Sequence, residues 1–144
     1  MNDVKEMVQK QVTGAKKMAF LPKHFGYQGV VFEDAVYSRY RKLVPTYQGG
    51  SWNYFEVCNG AVFMQRESEE SCELCVQGNG FQQTVNPRVA GIIVTLFTLN
   101  RLTGAYAERN PKKAISFDAK YHLLLDYVAQ LPATERGLIF QAID

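Results

Sequence analysis

The longest apolar run in the chain covers residues 89–102, where only Thr95, Thr98, Asn100 and Arg101 carry polar side chains. A helix that is apolar around nearly its whole circumference is one buried on most sides. Asn86 supplies an N-cap, and Pro87 suits the first helical position, where an N–H has no helical partner to lose. The run falls short of the roughly 20 apolar residues that span a bilayer. The pattern therefore predicts a central core helix over about residues 86–104. Gly91 inside it costs about 1 kcal/mol relative to Ala, which close approach of a strand or another helix would offset.

Shorter patterns flank this helix. Val4, Met7, Val8 and Val12 recur at helical spacing and predict a short amphipathic helix over residues 3–13. The stretch FLPKHFG, residues 20–26, reads as irregular, because Pro22 restrains Leu21 to extended backbone. Val36, Tyr40, Leu43 and Val44 give an apolar face to a helix over residues 33–44, which Pro45 stops. The period then changes to two. WNYFEVC and AVFMQR flank Asn59-Gly60, the preferred pair for a two-residue hairpin turn. Such a turn pairs Val57 with Val62, Phe55 with Met64 and Asn53 with Arg66, and it leaves Trp52, Tyr54 and Glu56 on the opposite face. A third strand is expected over residues 72–77 and a fourth over 81–85, joined by Gly78-Asn79-Gly80. Residues 109–116 read as a polar connection. Ser116 then caps a helix over residues 117–131 that buries Tyr121, Leu124, Leu125 and Val128, and a last short helix starts near Glu135. The expected fold class is α+β, with residues 1–144 as one compact domain. It has a small antiparallel β-meander of three to four strands packed against several helices, among them the central apolar helix.

Charge removes two function classes. The 144 residues carry 16 Lys and Arg against 14 Asp and Glu, a net charge of +2. That is neither an acidic nucleic-acid mimic nor a strongly basic nucleic-acid binder. Residues 1–50 hold 8 Lys and Arg and 4 Asp and Glu, so the positive excess sits in that half. The first residues lack the apolar run of a signal peptide, no transmembrane segment is expected, and three cysteines do not make a disulfide framework. These features point to the cytoplasm.

Candidate chemistry is sparse. Cys72-x-x-Cys75 has redox spacing, but a strand puts the two thiols on opposite faces, and a zinc site needs about four ligands. Ordinary packing cysteines are the plainer reading. Cys58 with His122 is a nucleophile–base pair on paper only, with no supporting motif. The glutamates at 67, 69, 70 and 73 read as a solvated loop or as an acidic contact for a basic partner. The stretch YQGGSWNYFEVCNG, residues 47–60, carries the strongest recognition signal. Trp52 and Tyr54 on the outer sheet face are either a binding surface or core beneath a covering helix.

Taken together the motifs resemble the ArdB/KlcA family of antirestriction proteins, carried by plasmids and other mobile elements of bacteria. The similarity runs in order through FLPKHFG, YQGGSWNYFEVCNGAVFM (47–64), VQGNGF (76–81), AGIIVTLFTLN (90–100), YHLLLDY (121–127) and the terminal AID (142–144). The resemblance implies relief of restriction by type I restriction–modification systems, with no enzyme activity, no metal and no cofactor. The expected partner is the type I enzyme or its DNA-bound complex, met through a protein surface, with little direct DNA binding and no membrane. Trp52, Asn53, Tyr54, Glu56 and Asp144 are the expected interaction residues. Gly49, Gly50, Asn59, Gly78, Asn79 and Gly80 match the family's turns, and Gly49, Gly50, Asn59, Gly78 and Gly80 are explained as turn formers. A second reading is a nucleic-acid-binding accessory protein that uses Lys5, Lys10, Lys16, Lys17, Lys23, Arg39, Arg41 and Lys42. Its mark would be steep salt dependence. A third is a small hydrolase built on Cys58.

Overall fold

A computed structural model of the chain describes residues 7–144. The element order is β1 (Gln9–Val12), α1 (Ala15–Phe25), a 3₁₀ turn (Gly26–Gln28), α2 (Gly29–Leu43), β2 (Trp52–Val57), β3 (Val62–Arg66), β4 (Cys72–Val76), β5 (Phe81–Val85), α3 (Pro87–Tyr106), α4 (Pro111–Val128) and α5 (Ala133–Ile143). The fold is α+β, as expected. Its strands form two antiparallel sheets, β1-β2-β3 and β4-β5, instead of one meander.

α3 is the centre of the molecule. Asn86 caps it, its side chain accepting from the Val89 N–H at 2.8 Å, and Pro87 opens it. Ile92, Ile93, Val94, Leu96 and Leu99 are fully buried. By length and composition α3 could cross a membrane, but 67% of its apolar window is buried inside the fold. It lies along the free edge of β3. The Met64 N–H donates to Thr95 Oγ1 at 3.2 Å, and Thr95 Oγ1 donates to the Gly91 carbonyl at 2.8 Å. A methyl group at Gly91 would run into the Met64 carbonyl and lie 3.0 Å from Gln65 Cα. The glycine thus lets a helix seal a strand edge that would otherwise expose unpaired backbone groups.

Two N-terminal expectations are corrected. Residues 9–12 form a strand and not a helix, pairing Gln9 with Val57 and Val12 with Tyr54; Val4 lies outside the described residues. Helical spacing of a few valines is outweighed here by the open edge of β2, which offers a partner to every second N–H and C=O. Residues 20–26 are largely helical, within α1, with Pro22 inside the helix. That proline costs about 3 kcal/mol. Burial of Phe20 and Phe25, worth about 1.5–3 kcal/mol each, offsets it. The chain then reverses at Gly26 (φ 57°), and α2 packs so close to α1 that a Cβ on Gly29 would meet Leu21 Cβ at 2.8 Å. α2 begins four residues before the expected start.

The hairpin register is one residue off the expected one. Glu56 pairs with Val62, Phe55 with Phe63, Tyr54 with Met64 and Trp52 with Arg66. A type I′ turn needs positive φ at both central residues. Only glycines have positive φ among the described residues, so Asn59 does not supply it. The loop takes three residues, closed by Val57 N–H to the Ala61 carbonyl at 2.9 Å. The slip leaves β2 unchanged and turns β3 over: Phe63 joins Phe55, and Met64 joins Tyr54. Helix α4 also starts earlier than expected. Asn110 caps it, accepting from the Lys113 N–H at 3.3 Å, and Pro111 takes the first position.

Candidate functional site

Trp52, Tyr54 and Glu56 share one face of β2, as alternation requires. α1 and α2 cover that face. Trp52 is 5% exposed. Its Nε1–H donates to the Tyr47 hydroxyl at 3.1 Å, and its ring meets Tyr40 edge-on at 4.9 Å. Of the two readings of Trp52, the buried one is observed: it anchors an aromatic cluster beneath α2.

Tyr54 is half-buried. It stacks on Phe20 with centroids 4.5 Å apart, and its hydroxyl donates to the Glu33 carboxylate. Burial, and then the Glu33 carboxylate, raise its pKa well above the usual phenol range. Tyr37, beside the same carboxylate, is pushed up to about 12, again chiefly by burial. Asn53 belongs to the other face, opposite Gln65, and lines an open depression with Glu67 and Glu69 of the acidic loop.

Glu56 ends the row where the seam opens. Its carboxylate accepts from Lys23 Nζ at 2.9 Å and from His24 Nε2 at 2.5 Å. His24 Nδ1 lies 3.1 Å from Lys120 Nζ, which also donates to the Gly60 carbonyl at 2.9 Å. An ammonium can only donate, so Nδ1 is the acceptor and the ring proton sits on Nε2, facing Glu56. Protonating His24 would set two donors against each other. Burial of the ring lowers the His24 pKa, opposed by the bond to Glu56. The bonds from Lys23 and then His24 lower that of Glu56.

This Glu–His–Lys chain joins β2, α1 and α4. Among the described residues no hydroxyl or thiol is hydrogen-bonded to His24, and the geometry is that of a proton-holding brace. The Cys58–His122 pairing is not formed either. Cys58 is exposed, and His122 Nδ1 bonds to the Asp118 carbonyl at 2.9 Å. Cys72 Sγ lies 3.6 Å from the Tyr40 hydroxyl, and the described cysteines are all free thiols. No group of three or more His, Cys, Asp or Glu converges among the described residues.

Asp144 is exposed at the end of α5, beside a depression it shares with Tyr121, Leu125 and Phe140. The side-chain N–H of Asn79, in the β4–β5 turn, donates to the Ala142 carbonyl at 2.8 Å and to the Asp144 carbonyl at 3.3 Å. Asn59 does the same elsewhere, donating to the Leu123 carbonyl at 2.9 Å. Both asparagines, which the sequence places in turns, also tie their hairpins to helices.

The pattern of the sequence singled out neither His24 nor Lys120, because 96 residues separate them and only the fold joins them. It also passed over exposed apolar side chains on α1, where Met18 is 88% exposed, and at the corner into α2, where Tyr27 and Val30 are 98% and 76% exposed. The basic N-terminal half is divided. Lys5 lies outside the described residues, Lys23 is engaged by Glu56, and Arg39 and Lys42 lie together on α2.

A sequence model of the antirestriction protein family matches residues 45–144. The antirestriction protein KlcA of Escherichia coli is 33% identical over 134 residues, covering 92% of each chain. The putative antirestriction protein YubI of Escherichia coli K12 is 32% identical over 69% of this chain and 70% of its own. A solved structure, reported for the KlcA and ArdB proteins as a novel fold with antirestriction activity against type I DNA restriction systems in vivo but not in vitro, aligns with 100% of this chain. It is covered to 99%, with a TM-score of 0.88 and 30% identity.

Proposed function

The chain belongs to the antirestriction protein family, and from that premise we propose that it relieves restriction of incoming DNA by bacterial type I restriction–modification systems. It acts in the cytoplasm as an inhibitor and not as a catalyst. It works by meeting the restriction enzyme, or that enzyme on its DNA, through a protein surface. The observation that carries this reading is the match of fold over the whole chain to proteins reported to have that activity. Mimicry of DNA is disfavoured by charge: a duplex presents about one negative charge per 1.7 Å, and this chain has a net charge of +2.

The contact surface we favour is the outer rim of the β2 seam, Glu56 with the exposed Tyr27 and Val30 nearby in sequence to His24, and secondarily Asp144. Exposed aromatic and apolar side chains beside charge are common at binding surfaces. Trp52 and Tyr54 act behind that rim by holding its shape, while Asn53 offers a separate contact on the opposite face, beside Glu67 and Glu69. Because activity of the relatives is reported in vivo and not in vitro, the test belongs in cells. Unmodified phage is plated on cells carrying a type I or a type II system, with and without the protein. Plating restored against type I alone is the expected result. Folded, soluble protein that leaves type I restriction intact would overturn the reading. Tyr27→Ala, Glu56→Gln and Asp144→Asn proteins that fold and keep full relief would move the contact surface elsewhere.

A further inference from the structure

α2 turns Ser38, Arg39 and Lys42 outward on one stripe, spaced as helical neighbours. They line a shallow depression of about 220 Å³ whose far wall is Arg101 of α3. Arg39 and Lys42 also border a second depression, of about 370 Å³, that reaches Cys75 and Gln77 at β4. The two depressions adjoin at Arg39 and Lys42, and together they make a shallow track from α3 across α2 to β4. Three cations line it and no carboxylate does. Among the described residues none of the three takes part in an ion pair.

Arg39 is held in place. Its guanidinium lies over the Phe97 ring, 4.7 Å from the centroid. Its Nε is buried without a hydrogen-bond partner. Burial, and then the charge of Arg101, disfavour the protonated form. Folding thus gathers two guanidinium groups and an ammonium, and leaves their charge uncompensated. Glu73, on the same strand, accepts from Gln82 Nε2 at 2.5 Å and from the groove-lining Cys75 thiol at 3.8 Å, and does not itself line the groove.

We propose that this groove is a phosphoryl-binding site in which Arg39, Lys42 and Arg101 take the phosphodiester backbone of a nucleic acid. Arginine presents a planar fork that matches phosphate oxygens in pairs, and stacking on Phe97 pre-orients one such fork. Ser38 and Gln77 add neutral donors at the two sides. A backbone lying in a shallow groove keeps its bases outward, so recognition is independent of sequence. The site is narrower than the basic N-terminal half and draws Arg101 from α3. It goes beyond the antirestriction reading, since binding is read on purified protein whatever the plating result.

The test is fluorescence anisotropy of short labelled single strands and duplexes titrated with the full chain at low salt. Inorganic phosphate and a polyglutamate peptide serve as separate probes, followed by NMR. Binding to nucleic acid is expected, with a log–log salt slope of about −2 to −3 for three phosphate contacts. Lys42→Gln and Arg101→Gln, both at exposed positions, should each weaken it several-fold and together about tenfold or more, at unchanged melting temperature. Nucleic-acid binding retained by the double variant, or no binding to nucleic acid or phosphate, overturns the proposal. If phosphate perturbs the groove but neither oligonucleotide binds more tightly than phosphate, the nucleic-acid assignment is overturned and the phosphoryl site stands. Polyglutamate binding without nucleic-acid binding overturns it in favour of an acidic protein segment.

Discussion

The two Asn-Gly hairpins use the same turn chemistry and meet different fates. In each, the asparagine Oδ1 accepts the N–H two residues on at 2.9 Å, and the side-chain N–H donates to a helix carbonyl. The β2–β3 hairpin has packing partners on both faces and both edges, with an open depression left at Asn53 and Gln65. Phe55 and Phe63 stack at 5.0 Å on one face, Tyr54 and Phe20 at 4.5 Å on the other, while β1 and α3 take the edges. The β4–β5 hairpin buries Leu74, Val76, Phe81 and Val85, and leaves Glu73, Gln82, Gln83 and Thr84 in solvent. Local sequence makes a hairpin in both cases. What packs against it decides whether it becomes the core or a flap pinned to the end of α5.

The largest expected effect breaks the sealed edge of the first hairpin. Gly91→Ala should destabilise by about 1–3 kcal/mol by overpacking against β3, although Ala normally gains about 1 kcal/mol over Gly in a helix. Gly104, in the same helix, has open space around its Cβ position. Gly104→Ala should stabilise by up to about 1 kcal/mol. Urea melts of the two variants should therefore move in opposite directions.

A middle-sized effect separates the two clamps. Asn59 is half-buried and Asn79 exposed. Asn59→Ala should cost about 1–3 kcal/mol, because it leaves the N–H of the fully buried Ala61 without its acceptor; Asn79→Ala should cost about 0.5–1.5 kcal/mol. Hydrogen exchange should show faster opening of β2–β3 and the Leu123 turn in the first variant, and of β4–β5 and the end of α5 in the second. Equal costs would mean that burial does not set the difference.

The smallest effect is a pH dependence confined to the first hairpin. The folded pKa of His24 and that of Glu56 are both lowered. The unfolded chain therefore takes up each proton first as pH falls, so both groups contribute stability that is present above their unfolded values. Stability should decline from about pH 6.5 for His24, and from about pH 4.5 for Glu56, as pH drops towards each folded value. Melting temperature measured between pH 7 and pH 5 should fall in the parent and stay flatter in His24→Gln.

Much of the fold was legible where one local signal was strong. Asn86-Pro87 and an unbroken apolar run located α3, and the cost of Gly91 pointed to the close approach that β3 makes. The same Asn-Pro signal at Asn110-Pro111 marks the start of α4, hidden behind a polar stretch whose buried residues, Ala114 and Phe117, come one turn later. The site was half legible. Alternation grouped Trp52, Tyr54 and Glu56 on one face, but whether a helix covers that face is invisible to a two-residue period. Trp52 went inside, Glu56 stayed at the rim, and Asp144 remained exposed.

The sequence alone determined the α+β class, the central helix, both hairpins, the shared face of β2 and the family. Each of these rests on interactions within a few residues, or on motifs in order. The tertiary structure alone decided that residues 9–12 join β2, that FLPKHF closes a helix through Pro22, and that β3 is turned over by one residue. It also decided that His24 meets both Glu56 and Lys120, and that Arg101 meets Arg39. The physical reason is common to all of these. Propensities and turn preferences are worth a kcal/mol or so per residue, and burial of a single Phe, or an open strand edge seeking partners, exceeds that.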